Sequence, residues 1–188
     1  MLTVSYVTGN QYKFQVAREA LKDTDIKVVQ NLLETPEVQS DDVSEIASFS
    51  ARWAADRLNT PVLVSDVGYF IKSLNGFPGP FIKWTNKWLN SADYLRLLQN
   101  VADRSVEVRE CLAFCHPGEK SVCFVDSNFA TLATIAGPKG YSPIDEIFIP
   151  KGFNKVETEI PHEIMVKYWS ENSTKWQQFI NYIKNHQH

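Results

Sequence analysis

Along the chain, stretches that alternate apolar and polar residues give way repeatedly to stretches with apolar residues at helical spacing. Leu2, Val4 and Tyr6 alternate with Thr3 and Ser5, which predicts a first strand over about 2–8. Thr8-Gly9-Asn10 then breaks the pattern, and an amphipathic segment predicts a helix over about 11–22. Residues 26–33 read as a second strand. The segment 44–58, with Ile46, Phe49, Trp53 and Ala54 at helical spacing, reads as a second helix. In 61–74, Val62, Leu63 and Val64 are continuous rather than alternating, as in a strand buried on both faces. Turn chemistry in NGFPGP precedes a short helix in SADYLRLLQNV. Two long strands, 106–116 and 121–134, flank the turn HPGEK and form the clearest hairpin. A loop then leads to a short strand near 147–149, and an amphipathic helix with Trp176, Phe179, Ile180 and Ile183 on one side closes the chain. Helices interleaved with strands, plus one antiparallel hairpin, predict an α/β domain with a mixed sheet and helices on both faces.

Composition narrows this little. The 188 residues suit one well-cored domain, and neither repeats nor low-complexity linkers divide them, so 1–188 is read as a single domain. A formal net charge of −3 gives no general argument for nucleic acid or an anionic membrane. No apolar run approaches a membrane span and no leader pattern opens the chain, so a cytoplasmic protein is expected. Cys111, Cys115 and Cys123 lie in strand-like segments without a second metal-type pair, and read as reduced, buried thiols.

Four polar stretches carry candidate chemistry. At the first, Thr8, Gly9, Asn10 and Lys13 sit where a strand ends and a helix begins, a place suited to anions; Lys13 adds a point charge. Taken by themselves, the same residues read first as a tight turn with an Asn cap. At the second, Asp41 and Asp42 read as carboxylates at a helix start, Asp42 and Ser44 as capping residues only. At the third, Asp66 in Ser65-Asp66-Val67-Gly68 follows a buried strand, and is either a turn aspartate, an Mg²⁺ ligand or a general base. The fourth, from Asp145 through Lys155 to Glu159, reads by itself as a solvated face. The rigid segment NGFPGPFIKW offers Phe81 and Trp84 either for stacking on a base or for loop packing.

Taken together, these stretches resemble the inosine triphosphate pyrophosphatase family, the noncanonical purine NTP pyrophosphatases. Its opening Thr-Gly-Asn-x-x-Lys is matched by Thr8, Gly9, Asn10 and Lys13, and its Gly-x-Pro-Gly loop falls in SDVGYFIKSLNGFPGPFIKW. Its Phe-x-Pro-x-Gly-x-x-Lys motif, followed by Glu, is matched by Phe148, Pro150, Gly152, Lys155 and Glu159. The resemblance spans nearly the whole chain. It implies an elongated mixed α/β fold with two lobes around a central cleft, generally dimeric. It also implies Mg²⁺-dependent (or Mn²⁺-dependent) hydrolysis of ITP, XTP and dITP to monophosphate and pyrophosphate. By position, Thr8, Asn10 and Lys13 would hold the triphosphate, Asp41 and Asp66 the metal, and Asp66 would activate water beside Lys13. Phe81, Trp84, Asp145, Lys155 and Lys175 would complete the substrate site. Relative to the family pattern, Ser65 stands at the first acid of the pair, Ser50 at a helix lysine, and Ser173-Thr174-Lys175 at Ser-His-Arg. An altered base preference is therefore expected, and a weakly active nucleotide-binding or protein-interaction module is the alternative.

Overall fold

The computed structural model describes residues 1–186, which fall into two compact units. Among the described residues the first unit comprises 1–66, 110–126 and 166–186; the second comprises 67–109 and 127–165. The chain passes from one to the other inside three strands and one helix, so neither unit is a contiguous piece of sequence.

The first unit is built on β1 (Leu2–Val7), α1 (Gln11–Leu21), β2 (Ile26–Asn31) and α2 (Val43–Leu58). To these it adds the opening of β3 (Val62–Ile71), the end of β5 (Ser105–Cys115), the start of β6 (Val122–Leu132) and the carboxyl-terminal helix α6 (Thr174–His186). Its strand order is β2-β1-β3-β5-β6, with β1 parallel to both β2 and β3. Strand alternation divides the apolar side chains between two faces. On one, Val4, Tyr6, Leu63, Leu112 and Phe114 meet Val16, Ala17 and Leu21 of α1 and Trp176, Phe179 and Ile183 of α6. On the other, Val7, Val62, Val64, Cys111, Ala113 and Cys115 meet an alanine-rich stripe of α2: Ala47, Ala51, Ala54 and Ala55. Small side chains let α2 lie close to the sheet. Helices thus cover both faces of a mixed sheet, as expected.

The second unit holds the rest of β3, then β4 (Pro78–Gly79), α3 (Ile82–Trp88) and α4 (Ser91–Leu97). It also holds the outer parts of β5 and β6, and β7 (Phe148–Ile149). β4 pairs antiparallel with β3 and β7 antiparallel with β6. The chain leaves this unit within α5 (His162–Asn172).

Helix α3 and helix α5 differ from the sequence reading. In the rigid segment 75–84 the Gly/Pro-dense turn ends at Pro80, and the last three residues begin α3, because Ile82 and Thr85 can then bury one helical face. In α5 the carbonyl of Pro161 accepts the N–H groups of Ile164 and Met165, starting a helix for which the sequence offers no Ser, Thr, Asp or Asn cap. The three cysteines are free thiols, with Cys111 and Cys115 buried. Cys111 is pushed up by its neighbour Cys123 and by burial, and Cys115 by burial, which keeps both protonated at neutral pH.

Candidate functional site

β1 ends at Val7, and the next three residues turn the chain into α1. The Thr8 hydroxyl accepts the N–H of Asn10 at 3.1 Å, and the Asn10 Oδ1 accepts the N–H groups of Tyr12 and Lys13 at 2.9 and 3.1 Å. Asn10 is thus a true N-cap. This does not remove it as a ligand group. Only the carbonyl oxygen is used inward, and on an exposed residue the carboxamide NH₂ remains a donor toward an anion.

One turn into α1, the Lys13 ammonium donates to the main-chain carbonyl of Ser65 at 3.3 Å. That carbonyl belongs to the peptide joining Ser65 to Asp66. Lys13, from the first helix, and Asp66, from the third strand, are therefore brought to one peptide although 53 positions separate them in the chain. Alternation along β3 gives the pair different sides: Ser65 lies with Leu63 on the α1 and α6 face, and Asp66 with Val62 and Val64 on the α2 face. Both are half-buried.

The Ser65 side is a charged cluster that the sequence reading did not contain. The Ser65 hydroxyl lies 2.7 Å from the phenol of Tyr6, and it also hydrogen-bonds the carboxylate of Glu110 on β5. Glu110 in turn pairs with the Lys175 ammonium at 2.9 Å; the lysine side chain is 2% exposed and the glutamate 20%. Burial alone would raise the Glu110 carboxyl, but Lys175, Lys13 and the hydrogen bonds from Lys175 and Ser65 overcome it and hold the group below its ordinary value. Burial pushes the Tyr6 phenol up, and the Glu110 charge pushes it further, so Tyr6 is a neutral hydrogen-bonding group. Lys175 is set by its helix start: the Asp126 carboxylate on β6 accepts the Thr174 N–H and hydroxyl at 3.2 and 2.7 Å. Lys175 follows directly and is carried inward. Its ammonium faces a carboxylate, not open space.

Glu110 did leave a signal in the sequence. Val106, Val108, Leu112 and Phe114 share its side of β5, and it is the one charged residue among them. A carboxylate in such a row is costly without partners, so its presence argues for an ion pair.

On the α2 side, Asp42 caps α2 by accepting the Ser44 N–H at 2.7 Å, as its position predicts. Asp41 precedes it and is exposed. Among the described residues no three His, Cys, Asp or Glu side chains are grouped to hold a metal. The oxygen donors at Asp41 and Asp66 nevertheless suit Mg²⁺, which is commonly bound by one or two carboxylates with water and substrate phosphate completing the shell.

The second unit carries the remaining candidates. Phe81 precedes the first turn of α3 and is 43% exposed; Trp84 is 39% exposed, with the Lys87 ammonium 4.1 Å from its ring centre. The backbone of β3 approaches β4 so closely that a Cβ on Gly68 would lie 3.0 Å from the main chain of Gly79 and Pro80. Asp145 accepts the Ser142 N–H at 2.9 Å, and burial pushes its carboxyl up. Pro150 to Phe153 form a turn, with the Phe153 N–H bonded to the Pro150 carbonyl at 3.1 Å and Gly152 at φ 90°. A positive φ at the third position is the type II requirement that glycine meets. Lys155 follows that turn and is exposed.

Residues 4–173 match the model of the Ham1 family. A dITP/XTP pyrophosphatase of Methanosarcina mazei is 37% identical over 149 residues, covering 78% of this chain and 81% of the relative. One from Methanopyrus kandleri is 34% identical over 185 residues, covering 98% and 97%. The structure of a HAM1 protein from Coxiella burnetii superposes with a TM-score of 0.79 at 21% identity, over 98% of this chain and all of that one.

Proposed function

The chain belongs to the Ham1 family, and from that premise we propose that it is an Mg²⁺-dependent pyrophosphatase of noncanonical purine nucleoside triphosphates. ITP, XTP and dITP are the expected substrates, with nucleoside monophosphate and pyrophosphate as products. The observation that carries this reading is the meeting of Lys13 with the Ser65–Asp66 peptide at the mouth of an Asn10-capped helix. Lys13 and the Asn10 carboxamide supply donors to phosphate oxygens. Asp66 takes the proton of the attacking water, and Asp41 and Asp66 would hold the metal. Mg²⁺, when bound, neutralises charge on the phosphates, the main requirement of phosphoryl chemistry. Phe81 and Trp84 offer aromatic faces to the base.

A homodimer in the cytoplasm belongs to the same proposal, and sedimentation of the purified chain tests the first half of it. The decisive assay is pyrophosphate release from a panel of NTPs and dNTPs with Mg²⁺ or Mn²⁺, beside Asp66→Asn. ITP, XTP or dITP should be turned over by the wild type and at least 100-fold more slowly by the variant. Nucleotide binding without turnover on any member of the panel would instead establish a nucleotide-binding relative without catalysis.

A further inference from the structure

We infer that Glu110 is a positioning residue for Lys13, and that it trades ground-state grip on phosphate for a correctly held lysine. The inference deepens the proposed phosphate site and rests on that reading. Three observations lead to it. Glu110 is the carboxylate shared by two lysines: it pairs directly with Lys175 at 2.9 Å, and the charge of Lys13 acts on it as well. It is tied to β3 through the Ser65 hydroxyl, while the carbonyl of the same Ser65 receives the Lys13 ammonium. Finally, a fifth of its side chain is open, whereas Lys175 is sealed.

A site meant only to grip an anion gains nothing from a carboxylate beside its lysine, because that charge repels phosphate. The geometry gives the carboxylate another use. One negative charge against two positive ones keeps Lys175 buried and draws Lys13 back onto the Ser65 carbonyl, beside Asp66. Ser65 is the hinge of this arrangement, braced from behind by Tyr6 at 2.7 Å. Binding that is equally strong before and during the reaction does not raise turnover, whereas a lysine held in register does. Glu110 therefore acts through Lys13.

The test compares wild type, Glu110→Gln, and the double variant Glu110→Gln/Lys175→Met, which removes both members of the buried pair. Affinity for inorganic tripolyphosphate is measured by calorimetry, turnover of dITP by pyrophosphate release, and folding by circular dichroism and thermal melting. Glu110→Gln should bind tripolyphosphate three- to tenfold more tightly, since a negative charge has gone, while kcat falls at least tenfold. Damage to the fold would weaken both. In the double variant the affinity should return to within about twofold of wild type, while kcat stays at least tenfold down because Lys13 is still unheld. Unchanged affinity and kcat in a folded Glu110→Gln protein, or full recovery of kcat in the double variant, would overturn the inference. If Glu110→Gln fails to fold, the kcat of the folded double variant decides. If the wild type turns over no nucleotide, the proposed activity fails and the inference falls with it, a result distinct from a wild type that turns over dITP beside a Glu110→Gln protein of unchanged kcat. A wild type that turns over dITP but binds no tripolyphosphate overturns the inference alone.

Discussion

Replacing Lys175 by Met should expose how the buried pair is balanced. Methionine keeps most of the aliphatic stem, so the change is chiefly the loss of one positive charge opposite Glu110. Removing one partner of a buried ion pair costs about 3–5 kcal/mol. Glu110 retains 20% exposure, the Ser65 hydrogen bond and the field of Lys13, so a cost somewhat below that range, about 2–3 kcal/mol at pH 7.5, is expected. In a chain of this length that lowers Tm by roughly 5–10 °C. The pH dependence is the sharper test. In the wild type the Glu110 carboxyl is lower in the folded than in the unfolded chain. Its contribution is fully present above the ordinary glutamate value, and is lost as pH falls through the depressed one. Between pH 7.5 and 5.5 it is therefore constant. In Lys175→Met burial dominates, the carboxyl rises above its unfolded value, and lowering the pH relieves the penalty by protonating it. Urea unfolding of both proteins at pH 7.5 and 5.5 should show the difference between them shrinking by about 1 kcal/mol or more at the lower pH. A difference below about 1 kcal/mol at pH 7.5, or one that does not move with pH, would refute the reasoning.

Two further outcomes follow from the second unit. Gly68→Ala places a methyl carbon 3.0 Å from the main chain of Gly79 and Pro80 and 2.6 Å from the Phe70 ring. It should destabilise the protein by about 1–3 kcal/mol, read as a lower urea midpoint. A midpoint at the wild-type value would show that β4 can move aside. Trp84→Ala removes an exposed ring that the proposed activity uses for stacking, a contact worth about 1–3 kcal/mol per base. KM for dITP should rise roughly tenfold with kcat nearly unchanged. A fall in kcat at constant KM would instead place Trp84 among the groups that act only in the transition state.

Most of the element order is written in local pattern. Alternation at residues 2–6, helical spacing from Ile46 to Ala54 and the long hairpin each carry their own period, and each appears in the structure within a few residues of its expected bounds. Elements that depend on what they bury were harder to see. α3 hides behind two glycines and two prolines, and α5 starts from Pro161 without a polar cap.

The candidate site divides in the same way. Thr8, Asn10 and Lys13 lie within six residues, so their turn and cap are local events, and the sequence alone determined that part. It also determined that Asp42 caps α2, because a cap needs only its own next two residues. Tertiary structure decided what Lys13 and Lys175 do. The first is 52 positions from its acceptor, and the second is 65 positions from its carboxylate. An ammonium at either place reads in sequence as a free charge that a phosphate would welcome. Only when β3, β5 and α6 are laid beside α1 does one become an oriented donor and the other a buried counter-charge. A charge's role depends on its partners in space, and one-dimensional spacing does not encode them.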